Sequence, residues 1–178
     1  MLLITNGTII DPKNHFEGKE DLLIGDDGRI LKRTPSGELS AEHVFDASGC
    51  IVAPGLVDTH SHFRDPGFTY KEDLHTGSLA AAAGGYTSVI LMANTNPPVD
   101  SAEILTDILE RGRREQIHIY SAANVTKGMK GQEVNDLQAL AAAGAPVFTD
   151  DGKPILNEIV FTQALKEADA LGIPVSLH

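Results

Sequence analysis

Two hydrophobic rhythms divide the chain. Up to residue 50, short apolar segments alternate with turn formers: Leu2 to Ile10, Asp21 to Ile24, and Arg29 to Leu31, the last two joined across Asp26-Asp27-Gly28, which favours a hairpin. This predicts a small β unit. From Ile51 onward the order becomes apolar strand, turn and helix, repeated roughly every thirty residues. The strands predicted there are Ile51 to Val57, Thr87 to Met92, Ile117 to Ser121, Pro146 to Phe148 and Ile173 to Leu177.

The helices between them carry start and stop signals. Asp100 with Glu103 has the form of a capping box, followed by an apolar stripe of Ile104, Leu105, Ile108 and Leu109. Leu137, Leu140 and Ala141 form a second stripe, ending at Gly144. Ile159, Val160, Ala164, Leu165 and Ala168 form a third, ending at Gly172, where glycine suits a left-handed cap. Gly84-Gly85 ends a further helix and turns the chain into Tyr86-Thr87. Unbroken apolar strands alternating with helices predict a parallel sheet covered on its outer face.

Five such strands fall short of a closed (β/α)8 barrel, which takes roughly 250 residues. The sequence also stops on a strand at His178, so the expectation is the front part of a longer polypeptide. An open, five-stranded doubly wound sheet is the structural alternative.

Composition narrows the function classes. The chain has 178 residues, 42% of them hydrophobic and 22% charged, the balance of a folded globular protein. Its net charge of −11 repels phosphate backbones and anionic lipid, so neither nucleic acid nor a membrane is an expected partner. Cys50 alone makes no internal disulfide, the N-terminus lacks the pattern of a signal peptide, and no apolar run reaches the ~18 residues of a membrane span. A soluble protein in a reducing cytoplasm is the default expectation. Cys50 reads as a small packed side chain, and Lys127 to Lys130 as a solvated loop.

The sharpest chemical signal is Val57-Asp58-Thr59-His60-Ser61-His62-Phe63-Arg64-Asp65-Pro66-Gly67. Side chains two apart at a strand end point the same way, so His60 and His62 can share one metal ion. On spacing alone, His-x-His equally describes two surface histidines. Asp150 and Asp151 follow the fourth strand and His178 ends the fifth, which puts all these candidates at the C-terminal ends of parallel strands, where α/β folds place their active sites. That donor set suits Zn2+ or a neighbouring transition metal, and a carboxylate can bridge two ions. The bland alternative for Asp150-Asp151-Gly152 is an ordinary turn.

Pro54-Gly55-Leu56-Val57-Asp58-Thr59-His60-Ser61-His62 resembles the opening signature of the cyclic amidohydrolases. The continuation to Asp73, with Ala81-Ala82-Ala83-Gly84-Gly85-Tyr86-Thr87 and Met92-Ala93-Asn94-Thr95-Asn96-Pro97, is similar to the dihydroorotase family, bacterial long-chain type, over essentially the whole chain. The resemblance implies a (β/α)8 TIM-barrel amidohydrolase fold, of which residues 51–178 are the N-terminal portion, about the first five strands. Residues 1–50 are then a small β domain, composite and incomplete, part of a β-sandwich.

By the same resemblance the activity is the reversible interconversion of L-dihydroorotate and N-carbamoyl-L-aspartate in pyrimidine biosynthesis, with two Zn2+ per complete active site. His60 and His62 match ligands of the more buried zinc, Asp151 the bridging carboxylate, and His178 a ligand of the second zinc. Arg64 and Asn94 match the groups that hold the substrate carboxylate, a role their donors suit. Many amidohydrolases use a carboxylated lysine as the bridge; here that place reads Phe148-Thr149-Asp150-Asp151-Gly152-Lys153, and aspartate is the simpler bridge. The remaining zinc ligand and the general base are expected beyond residue 178, so the chain alone is expected to be incomplete as an enzyme.

The rivals are an allantoinase or dihydropyrimidinase, distinguished by Arg64 with Asn94, and a non-catalytic scaffold of aspartate transcarbamoylase, which has no need of the ligands. A metal-free module that senses a dicarboxylate would keep only Arg64 and Asn94. A small-molecule substrate is the expected partner; a homodimer and association with aspartate transcarbamoylase are both open.

Overall fold

The computed structural model describes residues 1–177, and the chain divides into two compact units, Met1–Pro54 and Gly55–His178. The first unit holds two small sheets. One has the order β5-β4-β1-β6, from Leu2–Thr5 (β1), Asp21–Ile24 (β4), Ile30–Thr34 (β5) and His43–Asp46 (β6). The other has the order β3-β2-β7, from Thr8–Asp11 (β2), Phe16–Lys19 (β3) and Ile51–Val52 (β7). The run expected as one strand, Leu2 to Ile10, is therefore two strands in different sheets. The chain switches at Asn6, with a left-handed φ of 63°, and at Gly7, where a Cβ would lie 2.5 Å from Val52 Cγ2. The hairpin between β4 and β5 forms as expected, with Gly28 at φ 76°.

The strand expected over Ile51–Val57 is also two. Ile51–Val52 pairs with β2, and the chain resumes as β8, Leu56–Ser61, after Pro54 has removed a backbone donor. Cys50 is exposed rather than packed.

In the second unit, β8, β9 (Tyr86–Leu91) and β10 (His118–Ser121) form a parallel sheet in sequential order. The fourth and fifth expected strands reduce to bridges: Phe148 pairs in parallel with Ala123 on one side and Val175 on the other. Pro146 and Pro174 lack the N–H that a longer ladder requires. The hydrogen bonds between these passes, Ala123 N to Val147 O at 3.1 Å and Thr149 N to Ala123 O at 2.9 Å on one side, Phe148 N to Pro174 O at 3.0 Å and Ser176 N to Phe148 O at 2.9 Å on the other, keep them in chain order. A doubly wound sheet reverses strand order at its switch point; the five passes described here do not.

Helices α1 (Leu74–Ala83), α2 (Ala102–Gly112), α3 (Leu137–Ala142) and α4 (Glu158–Leu171) connect the strands. The N-cap of α2 is Ser101, which accepts from Ile104 N; Asp100 instead accepts from Gly128 N at 2.8 Å. Leu105 and Ile108 of α2 are buried with Val89, Leu91, Ile119, Leu137 and Leu140 in one core. On α4 the buried face is Val160, Ala164 and Ala168, at i, i+4 and i+8, whereas Ile159 is 80% exposed. Gly172 closes α4 in the left-handed conformation expected of it.

Candidate metal centre

Alternation along β8 carries His60 and His62 to the same side of its C-terminal end, with ring centroids 5.2 Å apart. Asp151, three residues after the bridge residue Phe148, reaches them from the fourth pass. Its carboxylate sits 3.3 Å (Oδ1) from His60 Nε2 and 3.5 Å (Oδ2) from His62 Nε2. Asp151 is buried, while the His60 side chain is 43% exposed, so the cluster opens to solvent on the His60 side. His178 lies outside the described residues.

Asn94, just beyond β9, links two of these groups. Its Nδ2 donates to Asp151 Oδ2 at 2.9 Å, and its Oδ1 lies 3.1 Å from His62 Nδ1. A carboxylate only accepts, so the amide nitrogen must face Asp151 and the amide oxygen must face His62. The oxygen in turn requires a proton on Nδ1, which leaves the Nε2 lone pair aimed at Asp151 Oδ2. Burial is the main influence lowering the His62 pKa, with the positive charge of Arg64 adding to it, and both favour neutral imidazole.

Two lone pairs facing each other at 3.5 Å make no hydrogen bond and call for a cation between them. Zinc bonds of about 2.0–2.1 Å at tetrahedral angles place neighbouring ligand atoms roughly 3.3–3.4 Å apart. The observed 3.3 and 3.5 Å fit that spacing, and among the described residues His60, His62 and Asp151 are the group with one ligand atom each within 4.8 Å of the others. The donor set fits a divalent transition metal.

Asp150 points elsewhere. Its carboxylate accepts from Val125 N at 2.9 Å, Thr126 N at 3.2 Å and the Thr126 hydroxyl, so it fastens the segment after β10. Burial pushes its pKa above the usual carboxylate range against these hydrogen bonds.

Arg64 is half-buried at a left-handed φ of 61°. Its neighbour Asp65 is buried and held by Arg111 of α2 and by Leu74 N at 3.3 Å. Gly67 packs against the turn at Asn96 so closely that a Cβ would lie 1.9 Å from Asn96 O, which brings the Arg64 and Asn94 loops together. Sequence reasoning identified neither the Asp65–Arg111 pair nor the internal bonds of Asn94. The one signal for Arg111 was a cation in the last turn of a helix, which names no partner.

Residues 49–178 match the family described as Dihydro-orotase-like. The whole chain is 49% identical to a dihydroorotase of Streptococcus pyogenes serotype M3 and 47% identical to one of Clostridium acetobutylicum, in each case spanning 42% of the relative's length. Among solved structures, an L-hydantoinase (dihydropyrimidinase) from Arthrobacter aurescens superposes with a TM-score of 0.81 at 19% identity, over 99% of this chain and 40% of that one. At that identity the likeness speaks for the fold. The sequential parallel strands, the histidine pair at the end of the first and the extent of these matches lead to one conclusion: the chain belongs to the dihydroorotase-like family.

Proposed function

We propose that this chain supplies the first metal-binding portion of a zinc-dependent dihydroorotase, which hydrolyses L-dihydroorotate and closes N-carbamoyl-L-aspartate. The observation that carries the reading is the convergence of His60, His62 and Asp151 from two strand ends, in a chain so similar to dihydroorotases. The sequential parallel passes are read as the opening of a (β/α)8 barrel, and the first unit as part of a small β domain.

His60, His62 and Asp151 would hold the more buried ion, with Asp151 as the carboxylate shared with a second ion and His178 among the ligands of that second ion. When bound, such ions supply Lewis acidity, polarising the ring carbonyl and lowering the pKa of water. The chain's own contribution is positional. Arg64 offers a guanidinium fork to the substrate carboxylate, and the Asp65–Arg111 clamp fixes the backbone that carries it. Burial of Asp151 keeps bulk water from the inner side of the carboxylate, so its charge acts at full strength.

The test is to load with zinc a polypeptide in which this chain is continued to the length of its relatives, and to compare the hydrolysis of dihydroorotate, hydantoin and allantoin. Selective opening of dihydroorotate, lost in Asp151→Asn, is the expected result. Turnover of hydantoin or allantoin with dihydroorotate left intact would transfer the protein to the rival amidohydrolases.

A further inference from the structure

The stretch Phe148-Thr149-Asp150-Asp151-Gly152-Lys153 ends on a cation for which the metal centre has no use. Lys153 N donates to Asp150 O at 2.8 Å and closes a four-residue turn, with Gly152 at a φ of 80°, the value a type II turn takes at its third position. Pro154 follows and disfavours the helical region for Lys153. The turn therefore holds an anion and a cation two residues apart at the same strand end.

Beside them lies a cavity of about 390 Å3, open to solvent. Phe68, Pro98 and Met129 give it apolar walls, while Asn94 and Asp151 belong both to its lining and to the metal centre. Among the described residues, the cation on that lining is Lys153. Lys127, in the neighbouring segment, is already paired with Glu133. Lys153 is exposed, and among the described residues no carboxylate lies within ion-pair distance of its ammonium.

The two ends of the proposed reaction differ in charge. Dihydroorotate carries one carboxylate, to which Arg64 offers its fork. Hydrolysis breaks a ring C–N bond: the oxygen of water completes a carboxylate on the carbon, one proton goes to the departing nitrogen and the other to solvent. The open chain is therefore a dianion, and it must enter or leave a chain of net charge −11 past the buried Asp150 and Asp151. A flexible ammonium on the cavity wall, with no carboxylate of its own, suits that second charge.

We propose that Lys153 binds the carboxylate that ring opening creates, so that it recognises the open-chain dicarboxylate and contributes little to the cyclic substrate. The inference rests on the dihydroorotase reading and adds to it a residue that tells the two reactants apart. The ammonium stays hydrated, so the contact is modest, of the size of an exposed ion pair.

The test measures initial rates of dihydroorotate opening, with N-carbamoyl-L-aspartate as inhibitor, in the zinc-loaded polypeptide continued to the length of the relatives. Lys153→Gln should weaken that inhibition roughly two- to fivefold and leave the KM for dihydroorotate and the zinc content unchanged. Lys153→Arg should restore the inhibition, and the gap between wild type and Lys153→Gln should narrow at high salt, because an exposed pair is screened. Equal inhibition of wild type and Lys153→Gln would overturn the proposal. An equal loss for both reactants would overturn it too, by assigning Lys153 to the carboxylate they share, and a loss of zinc would reduce Lys153 to a support for Asp151. If wild type opens dihydroorotate, the dihydroorotase reading stands whatever Lys153→Gln does; if wild type leaves dihydroorotate intact, both fall together.

Discussion

Arg111, in the last turn of α2, grips Asp65 with two parallel hydrogen bonds, Nη1 to Oδ2 and Nη2 to Oδ1, each of 2.9 Å. The side chain of Asp65 is 6% exposed and that of Arg111 37%, so the carboxylate is committed to the pair while the guanidinium keeps some water. Arg111→Met leaves a buried charge with little beyond Leu74 N. It should cost about 2–3 kcal/mol, below the roughly 3–5 kcal/mol of a fully buried pair because the guanidinium is partly solvated. Arg111→Lys should recover less than half, since an ammonium lacks the fork. Urea unfolding midpoints check both, and a lysine variant equal to wild type would assign the stability to charge alone.

Asp150 should matter to the fold. In Asp150→Ala, the N–H groups of Val125 and Thr126 lose their acceptor in a buried setting, at a cost of roughly 1–3 kcal/mol for each unsatisfied group. Asp150→Asn keeps one oxygen for them and should be much milder. Amide hydrogen exchange at Val125 and Thr126 should accelerate in the alanine variant before exchange elsewhere does; uniform acceleration would contradict a local brace.

The start of α1 should respond to acid. Asp73 accepts from the backbone N–H of Thr76 and from its hydroxyl, and these bonds hold its carboxyl below the ordinary 3.8. A depressed carboxyl pKa stabilises the fold fully above the unfolded value and loses that contribution as pH falls below 3.8 through the folded one. Asp73→Ser caps without titrating, so thermal midpoints of the two proteins should converge as pH drops through that window. Parallel curves would remove Asp73 from the acid response.

Zinc should stabilise the protein through His60, His62 and Asp151. A ligand at a hundred times its Kd adds about 2.7 kcal/mol to a site present only in the folded state. Thermal midpoints with and without zinc should therefore differ for wild type and coincide for His60→Ala and for Asp151→Asn. A zinc-dependent shift that survives both changes would place the ion elsewhere.

Arg64→Met should weaken dihydroorotate binding and leave zinc affinity as it was. Losing a charge-assisted pair to a carboxylate costs about 1.5–3 kcal/mol, roughly tenfold to a hundredfold in affinity. Product inhibition by N-carbamoyl-L-aspartate reads the same contact, and equal inhibition in both proteins would move the carboxylate to another residue.

What the sequence displays depends on the range of the interaction. His60 and His62 are legible because period-two alternation is local, and α4 ends at Gly172 because a left-handed cap is local. The break at Asn6-Gly7 is hidden within an apolar run, since nothing near it says that its two halves enter different sheets. Asp100 and Ser101 are both good caps; the choice falls to Ser101 because Gly128, distant in sequence, takes the Asp100 carboxylate. The Asp65–Arg111 clamp spans 46 residues and the Asn94–Asp151 bond 57, and no periodicity encodes either. The stripe on α4 overreached for a different reason. Ile159 is apolar and correctly spaced beside Val160, but the helix buries a narrower face than hydrophobicity alone marks out.

Asp150 and Asp151 share one peptide unit, and their carboxylates serve opposite clients: Asp150 the segment at Val125 and Thr126, Asp151 the histidine pair. Parity decides which is which. Insertion or deletion of a single residue between Phe148 and Asp150 would exchange inward for outward, offering the wrong carboxylate to each. A change of side chain beside the two aspartates should therefore be tolerated better than a change in the length of this stretch. With two tasks on adjacent residues, the spacing itself becomes part of the site.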